Sequence, residues 1–310
     1  MRRWFPLSAV RLALLPLLLL MPPPRALAAN VNTFATGLNG ARGVAFDASG
    51  NLYVTVRLTG RIMKCTPPSN VMSTFASGIG DPIDMVFDSQ GNMFMTDYDD
   101  AGVSGHVWKI TPAGVRTAFA AIGGAGPITI DTSDNLYVGD YFAQRIYKIT
   151  PAGVKTTYVS TIGGSGVRLT MLVMEPDLTL YAGMLNGVIY RIGPGASPVS
   201  TFNASMGSSV GMTHGPCGDW YATSYDNEEI WNLSTAGVGT LVAGAHNTFG
   251  HVDGTYSASR FYYPSGIAYH DGLLYVAEYG NDDIRTITPV SDCSTPTLRS
   301  TWGGLKTRYR

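Results

Sequence analysis

The chain has 310 residues, of which 45% are hydrophobic and 14% charged, with 37 glycines, 17 tyrosines and three cysteines. This composition suits many short strands with tight turns, not helices, and three cysteines are too few for a disulfide scaffold. From residue 30 to 298 there are 13 basic against 22 acidic residues, a balance that argues against nucleic acid as main partner and suits cations or neutral ligands.

Residues 1–28 read as a signal peptide. Arg2 and Arg3 form a basic start, residues 12–21 (LALLPLLLLM) a short apolar core, and Ala26-Leu27-Ala28 a cleavage site, so the mature chain should begin at Ala29 or Asn30. The apolar run is too short to span a bilayer, and no later stretch is long enough. A secreted, periplasmic or cell-envelope protein without a transmembrane segment after cleavage is expected.

From residue 31 the apolar residues alternate, as in half-buried antiparallel strands. One strand, VNTFA (31–35), stands alone. A three-strand unit then recurs six times. Its second strand reads NLYVTV (51–56), NMFMTD (92–97), NLYVGD (135–140), TLYAGM (179–184), DWYATS (219–224) and LLYVAE (273–278). The strand before it (GVAFD, DMVFD, PITID, MLVME, GMTHG, GIAYH) and the one after (RIMKC, HVWKI, RIYKI, VIYRI, EIWNL, DIRTI) repeat too. Such a unit cannot bury its own apolar faces and needs neighbours. Five copies are followed by a fourth strand, and the sixth lacks one. The isolated strand 31–36 matches the missing piece. Pairing it with residues 283–288 closes a ring and removes the free sheet edges. The expectation is an all-β, six-bladed β-propeller of four-stranded blades over residues 30–290. A linear β-solenoid, the alternative, gives the first strand no role. Residues 291–310 form a Ser/Thr/Pro-rich linker and a basic tail.

The run from GVAFDASGNLYV to RIMKCTP resembles NHL repeats. The resemblance is strongest at Gly250, Asp253-Gly254, Ala258, Phe261, residues 264–268 (PSGIA), residues 274–278 (LYVAE) and Asn281. It implies the same propeller, as found in extracellular sensors, protein- and RNA-binding modules and some lyases or lactonases.

Blade topology puts the start of each first strand, and each loop between second and third strands, on one face around the channel mouth. The first-strand starts are Gly43, Asp84, Pro127, Met171, Gly211 and Gly266, so Asp84 is the anomaly. It is a candidate ligand group, or a cap on neighbouring amides. The second strands end in Val56, Asp97, Asp140, Met184, Ser224 and Glu278. Such acids either line a site or tie down the loop of their own blade. The next column holds Tyr98, Tyr141, Tyr225 and Tyr279, which offer stacking area with a polar tip or pack over their own loops. The loop 99–105 and the crossover 243–263 extend the same face.

Metal sites need two or three converging ligands, and the five histidines are scattered. Of these, His246 and His251 belong to the crossover and can approach the mouth. No cofactor is predicted from the motifs; Ca²⁺ or another divalent ion held by Asp84 and its neighbours is the metal site the pattern permits. Cys65 aligns with buried isoleucines, and Cys217 and Cys293 fall on one face of adjacent blades, where a disulfide can form.

The function expected is recognition by a monomer, with a protein, peptide or carbohydrate ligand held at the mouth by Asp84, Asp97, Tyr98, Asp140, Tyr141, Tyr225, Glu278 and Tyr279. The alternative is a metal-assisted lyase or lactonase-type hydrolase on the same face, for which no catalytic residue is assigned.

Overall fold

A computed structural model describes residues 30–98, 104–164 and 166–288. Residues 1–28, expected to be a signal peptide, most of the loop 99–105 and the tail 291–310 lie outside them.

The unit of the fold is a self-tied turn. In the first repeat the Asp47 carboxylate accepts the N–H of Ser49 and of Asn51, both at 2.9 Å, and the side-chain amide of Asn51. The Tyr53 hydroxyl donates to the same carboxylate at 3.1 Å. Asp88 with Asn92, and Asp131 with Asn135 and Tyr137, repeat the arrangement. Burial pushes the Asp47 carboxyl up, but the bonds from Asn51, Ser49 and Tyr53 win and hold it below its ordinary value. The motif Asp-x-x-Gly-Asn-Leu-Tyr is therefore a folding instruction: it closes the first strand onto the second.

The described residues form six sheets, five of four strands and one of five. In the last, Asn30–Ala35 runs antiparallel to Asp283–Ile287, with Val31 opposite Ile287, and the short strand Gly254–Thr255 flanks it outside. Six apolar clusters fill the interfaces between adjacent blades. One joins Tyr137 and Ile146 of the third blade to Leu172 and Ile192 of the fourth; another joins Val44 and Val54 of the first to Tyr275 and Ile284 of the sixth. Each sheet thus buries its faces only against its neighbours.

Hydroxyls bind the blades together around the channel. Thr55 donates to Ile83 O, Thr96 to Gly126 O, Thr170 to Ser209 O and Thr223 to Ser265 O, at 2.6–3.0 Å. Ser265 donates to Ala41 O or Arg42 O, which links the sixth blade to the first. Every first strand carries a register irregularity at this level. The backbones approach so closely there that a Cβ on Gly266 would lie 2.4 Å from Arg42 O. Only glycine fits such a position without displacement.

Candidate functional site

Asp84 stands where the first, fifth and sixth blades carry glycine. Its Oδ1 accepts the N–H of Met85 at 2.8 Å, and its Oδ2 accepts that of Ile128 in the next blade at 3.2 Å. It lines two cavities along the channel. The inner one, about 200 Å³, is otherwise walled by Val, Ile, Leu, Met, Gly and Thr129, so Asp84 is its single charged lining group. The smaller one, towards the strand starts, is lined by Arg42 as well as Asp84. Burial pushes the Asp84 carboxyl up to about 6, against the pull of the two N–H groups and the Arg42 charge.

The strand-end acids turn to loops. Asp97 accepts the His106 N–H at 2.9 Å and the Trp108 indole N–H at 2.8 Å; with Tyr98, Ser104, His106 and Trp108 it also borders a groove of about 340 Å³. Asp140 accepts the N–H groups of Phe142 and Ala143. Glu278 accepts the Tyr262 N–H, the Asn281 amide and the Arg285 guanidinium. These carboxylates order turns and crossovers, so of the expected acids Asp84 alone faces the channel cavities described above.

The tyrosines gather into two banks. Tyr98 and Tyr141 stack at 5.5 Å between ring centres, with Phe142 edge-on to both. The Arg168 guanidinium lies 5.5 Å from the Tyr141 ring and 4.5 Å from Phe142. On the other side Tyr225 stacks on Tyr263 at 4.6 Å, Tyr263 on Tyr262 at 4.5 Å, and Phe249 against Tyr262. Tyr279 donates its backbone N–H to Tyr263 O, which places it beside this second bank. Arg42 acts electrostatically on Tyr141 and Tyr225, one in each bank, as well as on Asp84. Burial raises the Tyr141 and Tyr225 phenols above their ordinary value, so both stay neutral donors at physiological pH. Arg57 pairs with Asp81 at 3.1 Å.

Sequence reasoning missed Arg42, Arg168, Phe142, Tyr262 and Tyr263. The signal for Arg42 was present, since it is the charged member of the column Arg42, Ile83, Gly126, Thr170, Val210 and Ser265. Tyr262 and Tyr263 sit in the crossover, outside any repeat column. Also missed is Glu228, a buried acid that accepts the Tyr263 N–H at 2.6 Å. Burial, with help from Glu278 and Asp226, raises its carboxyl to about 7.

Of the remaining candidates, His214 lies tilted against Trp220 and 3.4 Å from the Glu175 carboxylate, and His270 stacks on Phe46. Among the described residues the one group of three potential metal donors is His251, Glu278 and Asp283; Asp84 is not part of it. Cys65 is buried and free, its thiol pushed up to about 11 by burial. Cys217 is disulfide-bonded; Cys293 lies outside the described residues. No helix among the described residues is long and apolar enough to cross a membrane.

No family model and no curated protein matches the sequence. Solved structures do match the fold. An auxiliary nutrient binding protein from Bacteroides thetaiotaomicron superposes with a TM-score of 0.74 at 17% identity, over 85% of this chain and 77% of its own. One from Bacteroides ovatus gives 0.69 at 19%, over 85% and 77%. A virginiamycin B lyase from Staphylococcus aureus gives 0.62 at 15%, over 84% and 99%. At these identities the likeness establishes the propeller and nothing finer.

Proposed function

We propose that this chain is an exported, NHL-type propeller that binds a peptide or carbohydrate ligand at its channel mouth. One observation carries the reading. Two stacked aromatic banks, Tyr98–Tyr141–Phe142 and Tyr225–Tyr263–Tyr262, belong to opposite parts of the ring, and Arg42 acts on both. Aromatic faces with neutral hydroxyl tips take sugar faces and peptide groups at low entropic cost, and a guanidinium fixes a carbonyl or carboxylate. Neighbours described as nutrient binding proteins are compatible with this reading but do not identify the ligand.

The test is a screen of the mature protein against oligosaccharide and peptide panels, repeated with Tyr225→Ala and with Tyr269→Ala, a tyrosine beside the apolar cluster away from the mouth. Hits lost in the first variant and kept in the second support the mouth. Hits kept equally in both contradict it.

The second reading is a metal-assisted lyase or lactonase. Asp84, which shares a cavity lining with Arg42 and feels its charge, is a poor cation site, because the arginine already supplies the positive charge. Among the described residues its foothold is the His251, Glu278 and Asp283 group in blade 6.

A further inference from the structure

The His251 group lies behind the second aromatic bank, whose Tyr262 N–H is held by Glu278, and under the crossover that leads into the sixth blade. His251 comes from that crossover, Glu278 ends the second strand of the blade and Asp283 begins the third. One ligand atom from each lies within 4.8 Å of the others. Glu278 and Asp283 are buried, while the His251 side chain is 46% exposed and offers a way in.

Two features mark the group as more than a cluster of acids. First, neither Asp283 oxygen receives a hydrogen bond, although the residue is only 1% exposed. A buried carboxylate without a donor takes up a proton or a cation, and burial with the Glu278 charge favours the protonated Asp283 when no ion is bound. His251 Nε2 approaches Asp283 Oδ2 to 2.7 Å, but not in an alignment that makes a hydrogen bond. The two atoms converge on shared space that a proton or a metal ion can occupy. Second, the surroundings are short of positive charge. Arg285 is fully buried and pairs with both Glu278 and Asp253. Three carboxyl groups, those of Glu278, Asp283 and Asp253, therefore gather around one guanidinium and one imidazole, so positive charge is short unless a proton or a cation is taken up.

The supporting shell is in place. The N–H of Tyr262 and the Asn281 amide hold Oε1 of Glu278, and Arg285 takes one lone pair of Oε2 at 2.8 Å, leaving another free. Thr33, from the strand that closes the ring, lies 3.2 Å from His251 Nε2 and donates to Asp253. Tetrahedral zinc at ordinary bond lengths sets its ligand atoms about 3.3 Å apart; the donors here lie within 4.8 Å of one another, and the part-exposed imidazole, 2.7 Å from Asp283, would move outward slightly to admit the ion.

We infer that His251, Glu278 and Asp283 bind a divalent transition metal ion of the zinc type at the blade-6 crossover. An imidazole with two carboxylates selects zinc or a neighbour of it over Ca²⁺, which prefers an all-oxygen shell. The ion would tie the crossover to the blade edge where Asn30–Ala35 closes the ring. The site stands whether or not the aromatic mouth binds a ligand.

The experiment uses the mature protein, stripped with a chelator, titrated with ZnCl₂ by calorimetry and assayed for metal after desalting. The wild type and Asp84→Asn should each retain one zinc per chain, with a raised melting temperature. His251→Gln should lose at least about tenfold in affinity. Its melting temperature without zinc should match that of the stripped wild type, since the ring is part-exposed on a crossover. Asp283→Asn should lose the ion as well; if it does not fold, His251→Gln alone decides. Failure of the wild type to retain stoichiometric zinc, or unchanged retention by His251→Gln, overturns the assignment.

Discussion

Asp84 shows what one substitution in a repeat does. In three other blades the same position is glycine, packed against the neighbouring backbone. Asp84 instead sends a carboxylate across to Ile128 of the next blade and into a channel with apolar walls. Its carboxyl titrates at about 6 in the fold against 3.8 for the ordinary group. Between these values the folded protein holds a proton that the unfolded chain has released. This group's contribution is therefore full below about pH 4 and is lost as pH rises through 6, a fall of up to about 3 kcal/mol. Asp84→Asn should flatten that part of the profile in urea melts at pH 4 and 7. It also gives up one of two backbone hydrogen bonds, worth about 1 kcal/mol, so its gain at neutral pH should be smaller than the slope it removes. An identical slope in both proteins would contradict the assignment. Gly266→Ala tests the close approach itself: a Cβ 2.4 Å from Arg42 O should cost about 2 kcal/mol in thermal or urea unfolding. A neutral result would mean that the ring is looser than drawn.

At the scale of elements, columns were legible and the crossover was not. Strand alternation and the Asp-x-x-Gly-Asn turn were readable because each repeat solves the same burial problem with the same residues. The acids at 97, 140 and 278 were visible as a column, but their direction was not: whether a carboxylate meets a loop amide or the channel depends on backbone geometry that spacing does not encode. Tyr98 and Tyr141 stack as neighbours, while Tyr225 stacks on Tyr263, which no repeat predicts. Residues 243–263 form a unique connection, and unique segments have no second copy to reveal a pattern. Arg168→Ala should therefore weaken ligand binding less than Tyr225→Ala, because its guanidinium lies over Tyr141 and Phe142 as a support. The expected loss is about 1 kcal/mol or less, against about 2 for a stacked tyrosine that touches ligand. Paired titrations check the order.

The whole molecule is held by neighbours and by the strand at 30–35. Val31 is fully buried and packs with Ile230, Phe261 and Ile287. Val31→Ala should lower stability by about 2 kcal/mol; no change in melting would mean that this strand frays from the ring. The expected cleavage point lies just before Asn30, which is already paired with Thr255. Export should therefore yield an N-terminus at Ala29 or Asn30 by Edman or mass analysis, and a longer mature chain would contradict the signal reading.

The central claim, that this ring is a scaffold for recognition at its mouth, is tested most directly by a crystal structure with a ligand from the panel screen. The expected result is ligand density between the two aromatic banks, in contact with Arg42 and Tyr225. Density on the opposite face, or on the outer edge of a blade with the mouth free, would contradict it.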